Sequence, residues 1–147
     1  MPISSKGKKN VFFWLSKDFE GRIFDLGSGF GTMVFPLSNH CKQAQIFGYE
    51  TAIVPYFVSR AAQMVFRKRN IHIYRKNLYA AEFAQADIIF CYLYPRAMIR
   101  LTPIIKEKAK PGTRVISYAF ALPGMQADKV EEVGKLYPTK LYYYQVG

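Results

Sequence analysis

A glycine-rich turn is the feature of this sequence that most directly indicates chemistry. The turn is the segment 25–31, DLGSGFG, which lies between a predicted strand and a predicted helix. Glycines at such a place let the backbone turn tightly and let a ligand approach main-chain atoms with no side chain in between. Because open α/β sheets bind ligands at the carboxyl ends of their strands, we predict a ligand site at this turn.

The spacing of the glycines and one acidic side chain narrow the class of ligand. Dinucleotide-binding turns carry glycines at the first, third and sixth places. Here Gly27, Gly29 and Gly31 occupy the first, third and fifth places, and Asp25 stands two places before the first. The carboxylate of Asp25 would repel a pyrophosphate, whereas it suits a zwitterionic ligand with a sulfonium and an ammonium group. The alternative is an incidental glycine turn.

Two further strand ends carry residues that can contact such a ligand. Glu50 ends the second predicted strand, where a carboxylate can accept hydrogen bonds from both hydroxyls of a ribose. Asn77 and Leu78 follow the third predicted strand, and the amide of Asn77 offers both a donor and an acceptor to an adenine edge. The alternatives are a solvated carboxylate at Glu50 and an ordinary turn at Asn77.

A tyrosine-containing loop follows the fourth predicted strand. Its residues Tyr92, Tyr94 and Pro95 open on the carboxyl edge of the sheet, so we predict that they line the catalytic site. Tyrosine hydroxyls can hold an attacking nitrogen, although Tyr92 can equally belong to the core while Tyr94 only packs. Attack of a nitrogen on a carbon bound to a sulfonium is an in-line displacement, and its rate depends mainly on the positioning of the reactants and on the exclusion of water. The sequence shows no Ser-His-Asp or paired-carboxylate set, and such a reaction requires none.

Strand-like and helix-like segments alternate along the chain, which is typical of an α/β fold with a parallel sheet. The predicted elements are strands 22–26, 45–50, 71–75, 88–92 and 114–120, helices 11–19, 32–38, 55–69 and 97–108, and a β-hairpin within 129–146. Pro103 predicts a kink or a late start in the last helix.

Apolar residues recur at helical spacing along the longest predicted helix, and this periodicity predicts one buried face. The residues of this face are Val54, Phe57, Val58, Ala61, Met64 and Val65.

The length of the chain and its net charge limit the number of domains and the classes of partner. The 147 residues are predicted to form one domain over 11–147, preceded by a flexible basic arm over 1–10. The formal net charge of +11 favours contact with nucleic acid, an acidic protein or lipid headgroups, and the alternative is a solvated basic face. No stretch is long and apolar enough to predict a transmembrane segment, which still allows peripheral contact with a membrane.

The two cysteines predict neither a disulfide scaffold nor a metal site. Cys41 and Cys91 lie far apart in the chain, and neither belongs to a set with the spacing of four zinc ligands. We therefore expect a reducing compartment, the cytoplasm.

The sequence resembles the class I S-adenosylmethionine-dependent methyltransferases. Segment 25–31 matches their first motif, and Glu50 matches the acidic residue that ends their second strand. Over residues 20–125 the chain is further similar to a bacterial group related to the mitochondrial protein-lysine methyltransferases of ATP synthase subunit c and the adenine nucleotide carrier. The segments that carry this similarity are FDLGSGFGT, GYETAIVPYFVSR, CYLYPRAM and GTRVISYAFALPG.

The resemblance implies a Rossmann-like fold whose mostly parallel sheet of about seven strands ends in an antiparallel hairpin, with S-adenosyl-L-methionine as the cofactor. It also implies which residues contact the cofactor. These are Asp25, Gly27, Ser28 and Gly29 around its amino-acid part, Glu50 at its ribose, and Phe30, Gly31 and Thr51 beside them.

A protein lysine is the predicted methyl acceptor. A water-poor pocket lined by Tyr92, Tyr94 and Phe120 would lower the pKa of a lysine and so yield the neutral amine that attacks. The alternatives are an RNA or DNA base, favoured by the basic run 67–69, a small molecule, or a module that binds the cofactor without catalysis.

Two departures from the related enzymes bear on the acceptor. The chain shows no hydrophobic N-terminal membrane segment like that of the mitochondrial enzymes. It also shows no Asn/Asp-Pro-Pro-Tyr motif, which is common in enzymes that methylate amide or base nitrogens.

Overall fold

Helices and strands alternate through most of the chain, which we describe over residues 3–147 in a computed structural model. In chain order the elements are α1 (Ser5–Phe13), β1 (Arg22–Leu26), α2 (Val34–His40), β2 (Gln45–Tyr49), α3 (Ile53–Val65), β3 (Ile71–Tyr74), two 3₁₀ turns (Leu78–Ala80 and Phe83–Gln85), β4 (Ile88–Cys91), α4 (Pro95–Lys108), β5 (Arg114–Tyr118), β6 (Lys129–Val133) and β7 (Thr139–Gln145). The predicted alternation is confirmed, and the strand bounds differ by at most two residues.

The seven strands form one sheet in the order β3-β2-β1-β4-β5-β7-β6. Strands β1 to β5 pair in parallel, whereas β7 runs antiparallel to both β5 and β6. The predicted mostly parallel sheet with a terminal antiparallel hairpin is therefore confirmed. The chain proceeds from β1 outward through β2 to β3, and then crosses back to β4 on the other side of β1. A gap between loops opens at such a reversal, at the carboxyl ends of β1 and β4.

Hydrophobic cores cover both faces of the sheet, which explains why its central strands are continuous apolar runs. Val11 of α1 and Leu37 of α2 pack with Ile46 on one face. Met98 and Ile105 of α4 belong to the cluster on the other face. Among residues 3–147, no helix has both the length and the apolar character that a membrane crossing requires.

The N-terminal segment differs from the prediction of a flexible arm over 1–10 and a helix over 11–19. Helix α1 begins at Ser5, and the Ser4 hydroxyl accepts a hydrogen bond of 3.0 Å from the backbone N–H of Gly7. Ile3 and Gly7 are both buried against the rest of the molecule. The prediction of a flexible arm is wrong for residues 5–10, because the lysines of this segment give it a polar composition although Ile3 and Gly7 are buried. Residues 1 and 2 of the predicted arm lie outside the described part of the chain.

Helix α3 also differs from prediction, because the apolar side chains expected to be buried face outward. Ser59 is its buried residue, and the Ser59 hydroxyl lies 2.9 Å from the carbonyl oxygen of Gly29. The predicted buried residues Val54, Phe57, Val58, Met64 and Val65 are 48–74% exposed, and Ala61 is exposed as well.

Pro103 neither starts nor ends a helix. It lies inside α4, which begins eight residues earlier at Pro95, so the predicted late start is wrong. Proline is favoured in the first turn of a helix, where its missing N–H would have no partner within the helix.

Candidate active site

The glycine turn is held in place by the neighbouring strand. The backbone N–H groups of Gly27 and Ser28 both donate to the carbonyl oxygen of Tyr49, at 3.0 Å each. Gly27 and Gly29 have φ values of +75° and +56°, which lie in the left-handed region that residues other than glycine rarely adopt. The turn therefore exposes backbone at the carboxyl end of β1, as the sequence predicts.

Gly31 serves the turn in a different way. Its φ is +87°, and a side chain there would collide with the ring of Phe35 in α2. Gly31 is not among the residues that line the cleft described below. The structure thus places Gly31 at the packing of α2 against the turn, whereas the sequence predicts a cofactor contact.

The carboxylate of Glu50 joins the turn to the start of α3. One oxygen, Oε1, accepts a hydrogen bond of 2.9 Å from the Gly29 N–H, and Oε2 accepts one of 2.9 Å from the Ala52 N–H. An ionised carboxylate has about four lone-pair sites, so each oxygen can accept a further hydrogen bond. Glu50 is therefore positioned both to shape the turn and to bind hydroxyl groups beside it.

A central cleft of about 450 Å³ opens where the strand order reverses. Its lining comes from the glycine turn, from β4 and the loop that follows it, and from the segment after β5. Of the predicted site residues it brings together Asp25, Gly27, Ser28, Gly29, Phe30, Tyr92, Tyr94 and Phe120. Pro95 is exposed as the first residue of α4 and is not among those that line the cleft.

A second hollow of about 210 Å³ lies on the other side of Gly27, over the ends of β2 and β3. Five of the predicted cofactor residues line it, namely Gly27, Glu50, Thr51, Asn77 and Leu78. Gly27 lines both spaces, so the two spaces meet at the glycine turn. The side-chain oxygen of Asn77 accepts a hydrogen bond of 2.9 Å from the Tyr79 N–H, which leaves the amide NH₂ group as the donor toward a ligand.

Asp25 carries the one carboxyl group among the described residues that line the central cleft. It is 3% exposed, and burial, together with the nearby carboxylate of Glu50, raises its pKa to about 7. A cationic group in the cleft would stabilise the ionised form of Asp25. The hydroxyl of Ser28 is also buried and has no hydrogen-bond partner among the described residues.

The two tyrosines of the loop after β4 have different surroundings. The ring of Tyr92 packs edge-on against Tyr118, with ring centroids 4.7 Å apart. Burial and the neighbouring tyrosines raise the pKa of Tyr92, so its hydroxyl is neutral at physiological pH. Tyr94 is 79% exposed at the mouth of the cleft.

Several lining residues are absent from the sequence prediction. They are Ile3, Thr32, Met33, Phe90 and Leu93. Leu93 lies between the predicted Tyr92 and Tyr94, and Phe90 lies two residues before Tyr92, so a prediction that included the whole loop and the last two residues of β4 would have found both. Ile3 carries no such signal, because only the packing of α1 brings it to the cleft.

Comparison with known proteins establishes the family. The model of a family described as the ANTKMT methyltransferase domain matches residues 25–129. The chain belongs to this family. It is also similar to a protein-lysine N-methyltransferase of Saccharolobus islandicus (strain REY15A), with 24% identity over 131 residues that cover 85% of this chain and 79% of the relative.

Solved structures share the fold of this ANTKMT-family protein at low sequence identity. An RNA methyltransferase from Salinibacter ruber, in complex with S-adenosyl-L-homocysteine, superposes with a TM-score of 0.85 at 23% identity, covering 99% of this chain and 94% of that one. Magnesium protoporphyrin IX methyltransferase from Synechocystis PCC 6803, with bound S-adenosylmethionine, gives a TM-score of 0.72 at 16% identity, covering 95% and 78%. The protein is an S-adenosylmethionine-dependent methyltransferase.

The residues of the two spaces fit this cofactor. Asp25 offers a buried carboxylate to a cationic ligand, and the exposed backbone of Gly27 and Gly29 leaves room beside it. Glu50 retains lone pairs for two hydroxyl groups, and the hollow beside it is lined by Leu78 and the amide of Asn77. A buried carboxyl group, a hydroxyl acceptor and a hollow with an amide donor follow one another across the ends of β1, β2 and β3, in the order that an amino-acid, ribose and adenine ligand requires.

Proposed function

We propose that this enzyme methylates the side-chain nitrogen of a protein lysine. The observation that carries the proposal is the aromatic lining of the central cleft. Phe90, Tyr92 and Phe120 line it, and Asp25 carries the one carboxyl group among its described lining residues. The printed name of the Saccharolobus relative, a protein-lysine N-methyltransferase, supports the same acceptor.

Asp25 and Glu50 are the residues that we assign to holding the cofactor. Asp25 would pair with its ammonium group and Glu50 would accept hydrogen bonds from its ribose, with Asn77 beside the base. Bound S-adenosylmethionine supplies an electrophilic methyl group on a sulfonium. The ionised form of Asp25 is favoured when this cationic ligand is bound, because the ligand compensates the cost of burying the carboxylate.

The cleft prepares the lysine by removing water from it. A lysine ammonium has no free electron pair, so it must lose a proton to solvent before its nitrogen can attack. Burial among Tyr92, Phe90 and Phe120 disfavours the charged form and lowers the pKa of the amine. The neutral hydroxyl of Tyr92 can then accept a hydrogen bond from the amine and orient its lone pair toward the methyl group.

Transfer of radiolabelled methyl groups tests the acceptor class. Purified enzyme is incubated with cell lysate and labelled cofactor, and the product is divided between protease and nuclease treatment. We expect protease-sensitive label that co-migrates with methyl-lysine after acid hydrolysis. Tyr92→Phe, which keeps the ring and removes the hydroxyl, should bind cofactor normally but transfer more slowly.

Other distributions of the label would contradict the proposal. Nuclease-sensitive label would assign the enzyme to a nucleic-acid base, an acceptor compatible with the net charge of +11. Label confined to small molecules would exclude both polymers. Tyr137→Phe is the matched control, because Tyr137 is 90% exposed and is not among the residues that line the cleft.

A further inference from the structure

The outer surface of α3 carries a continuous group of large apolar side chains. We call it the apolar face. Its residues lie on successive turns of α3 and at the position that directly follows the helix, and each is about half exposed or more: Val54, Phe57, Val58, Met64, Val65 and Phe66. Exposed apolar side chains are ordinary when scattered, but a contiguous group of this size marks an interaction site.

The orientation of α3 is fixed by polar contacts on its inner side. The Ser59 hydroxyl lies 2.9 Å from the carbonyl oxygen of Gly29, and the side-chain amide of Gln63 donates to the carbonyl oxygens of Lys68 and Ile71. Turning the helix to bury the apolar face would break these hydrogen bonds. The apolar face is therefore a stable part of the molecular surface.

The charges around the apolar face have one sign. Residues 51–81 contain six Lys or Arg residues and no Asp or Glu. We call these six the basic cluster: Arg60, Arg67, Lys68, Arg69, Arg75 and Lys76. Three of them come directly after Phe66, which follows the end of α3. Arg75 donates from Nε to the carbonyl oxygen of Thr51, at 3.4 Å, just before α3 begins. Positive charge thus flanks the apolar face at both ends.

We propose that the apolar face docks onto the surface of a membrane that contains anionic lipids. A helix with large apolar residues on one side and cations beside them lies in the plane of the interface, where its apolar side chains enter the acyl boundary and its cations meet the headgroups. A nucleic acid would neutralise the basic cluster but leave the apolar residues in water. Two copies packed symmetrically through this face would bring like charges together.

Docking would place the catalytic site beside the lipid. The N-terminus of α3 is bonded to the glycine turn through Glu50, and its middle is bonded to the same turn through Ser59. The cleft that starts at this turn therefore lies next to the docked helix. An acceptor lysine near the headgroups of the same membrane would reach it directly, and this last consequence rests on the proposed function.

Vesicle co-sedimentation of the full chain tests the docking itself. Wild-type protein should bind vesicles of phosphatidylcholine mixed with phosphatidylglycerol more tightly than vesicles of phosphatidylcholine alone. Phe57→Gln combined with Val65→Gln should weaken that binding at least about tenfold, because two apolar side chains no longer enter the lipid. The matched control is Ile99→Gln combined with Leu136→Gln, which alters apolar residues elsewhere that are at least as exposed, and it should bind as wild type does.

A second pair of variants tests the basic cluster. Arg67→Gln combined with Arg69→Gln should reduce the preference for phosphatidylglycerol and leave the weak binding to neutral vesicles unchanged. Cofactor affinity and the thermal unfolding midpoint, measured for every variant, show that the fold is intact. Because neither measurement involves methyl transfer, this test can fail while the proposed lysine methylation holds, and the reverse is also possible.

Three outcomes would overturn the docking proposal. One is wild-type protein that does not bind phosphatidylglycerol vesicles. Another is equal loss of binding in the Phe57/Val65 pair and the Ile99/Leu136 pair. The third is a wild-type dimer in sedimentation velocity that the Phe57/Val65 pair dissociates, which would assign the apolar face to a second copy of the chain.

Discussion

At the scale of single residues, Asp25 occupies a position that disfavours its ionisation but suits the binding of a cationic ligand. A carboxylate buried at the end of β1, next to Glu50, is costly to ionise, and its pKa rises to about 7 in consequence. In the unfolded chain the same group has its ordinary pKa of 3.8. A cationic ligand bound beside Asp25 would therefore reduce the free-energy cost of ionising this carboxyl group.

The raised pKa of Asp25 makes the stability of the cofactor-free protein depend on pH. Between pH 3.8 and about 7 the folded chain holds a proton that the unfolded chain has lost, so the free energy of unfolding falls as pH rises through this window. Asp25→Asn has no group that titrates at this position, so it removes this pH-dependent loss of stability. We expect it to raise the free energy of unfolding above pH 7, on the order of a few kcal/mol, and to gain little near pH 4. Denaturant titration at several pH values measures this.

Asp87→Asn is the control of opposite sign. Although partial burial acts to raise the pKa of Asp87, its bonds to Lys110 at 2.6 Å and to the Arg22 N–H at 2.8 Å keep that pKa below its ordinary value. Removing the charge of Asp87 should therefore lower stability at neutral pH. Equal effects of the two substitutions at pH 8 would contradict the assignment of a protonated, buried Asp25.

At the scale of secondary-structure elements, Glu50 links three of them. It follows β2, and its two oxygens bond to the glycine turn after β1 and to the start of α3. An acidic residue at this position was predicted to bind a ribose, and its backbone hydrogen bonds add a structural task. The binding role and the structural role of Glu50 can be measured separately, because the hydrogen bonds to the Gly29 and Ala52 N–H groups form without the cofactor.

Substitutions at Glu50 should separate affinity from stability. Glu50→Gln keeps one acceptor oxygen and loses the charge, so we expect cofactor affinity to fall about tenfold with a small change in the unfolding midpoint. Glu50→Ala removes both acceptors and should lower affinity and the midpoint together. Calorimetry with S-adenosylmethionine and thermal unfolding measure the two quantities. Glu82→Gln, the same change at an exposed position, is the control, and wild-type affinity in Glu50→Ala would exclude contact with the ribose.

Sequence patterns predicted the strands of this protein better than they predicted the orientation of its helices. Runs such as Ile88–Cys91 are buried on both sides, so a continuous apolar segment is enough to locate the strand. Helical periodicity identifies residues that share a face of α3, but it does not say whether that face meets the sheet or the solvent. The polar contacts of Ser59 and Gln63 decide this, and both are tertiary.

At the scale of the whole molecule, the ligand site gathers segments from most of the chain. The glycine turn and Glu50 were predictable because their spacing repeats a known arrangement of strand ends. The N-terminal contribution was not, because Ile3 reaches the cleft through the packing of α1 beside Tyr118, the last residue of β5. That packing depends on Gly7, where an added Cβ would lie 2.9 Å from Ile3 Cγ1 and 3.0 Å from Tyr118 Cε2.

A side chain at Gly7 should therefore affect the cleft from a distance. Gly7→Val replaces a poor helix former, yet its methyl groups would push against Ile3 and Tyr118, and overpacking of this kind typically costs about 1–3 kcal/mol. We expect a lower unfolding midpoint and slower methyl transfer, with cofactor affinity changed less because the glycine turn is hydrogen-bonded to Tyr49 and Glu50, which belong to other parts of the fold. Lys6→Val, on the exposed side of the same helix, controls for the valine itself. If Gly7→Val and Lys6→Val have the same midpoint and rate, α1 does not pack against Tyr118 as described, and Ile3 is not part of the site.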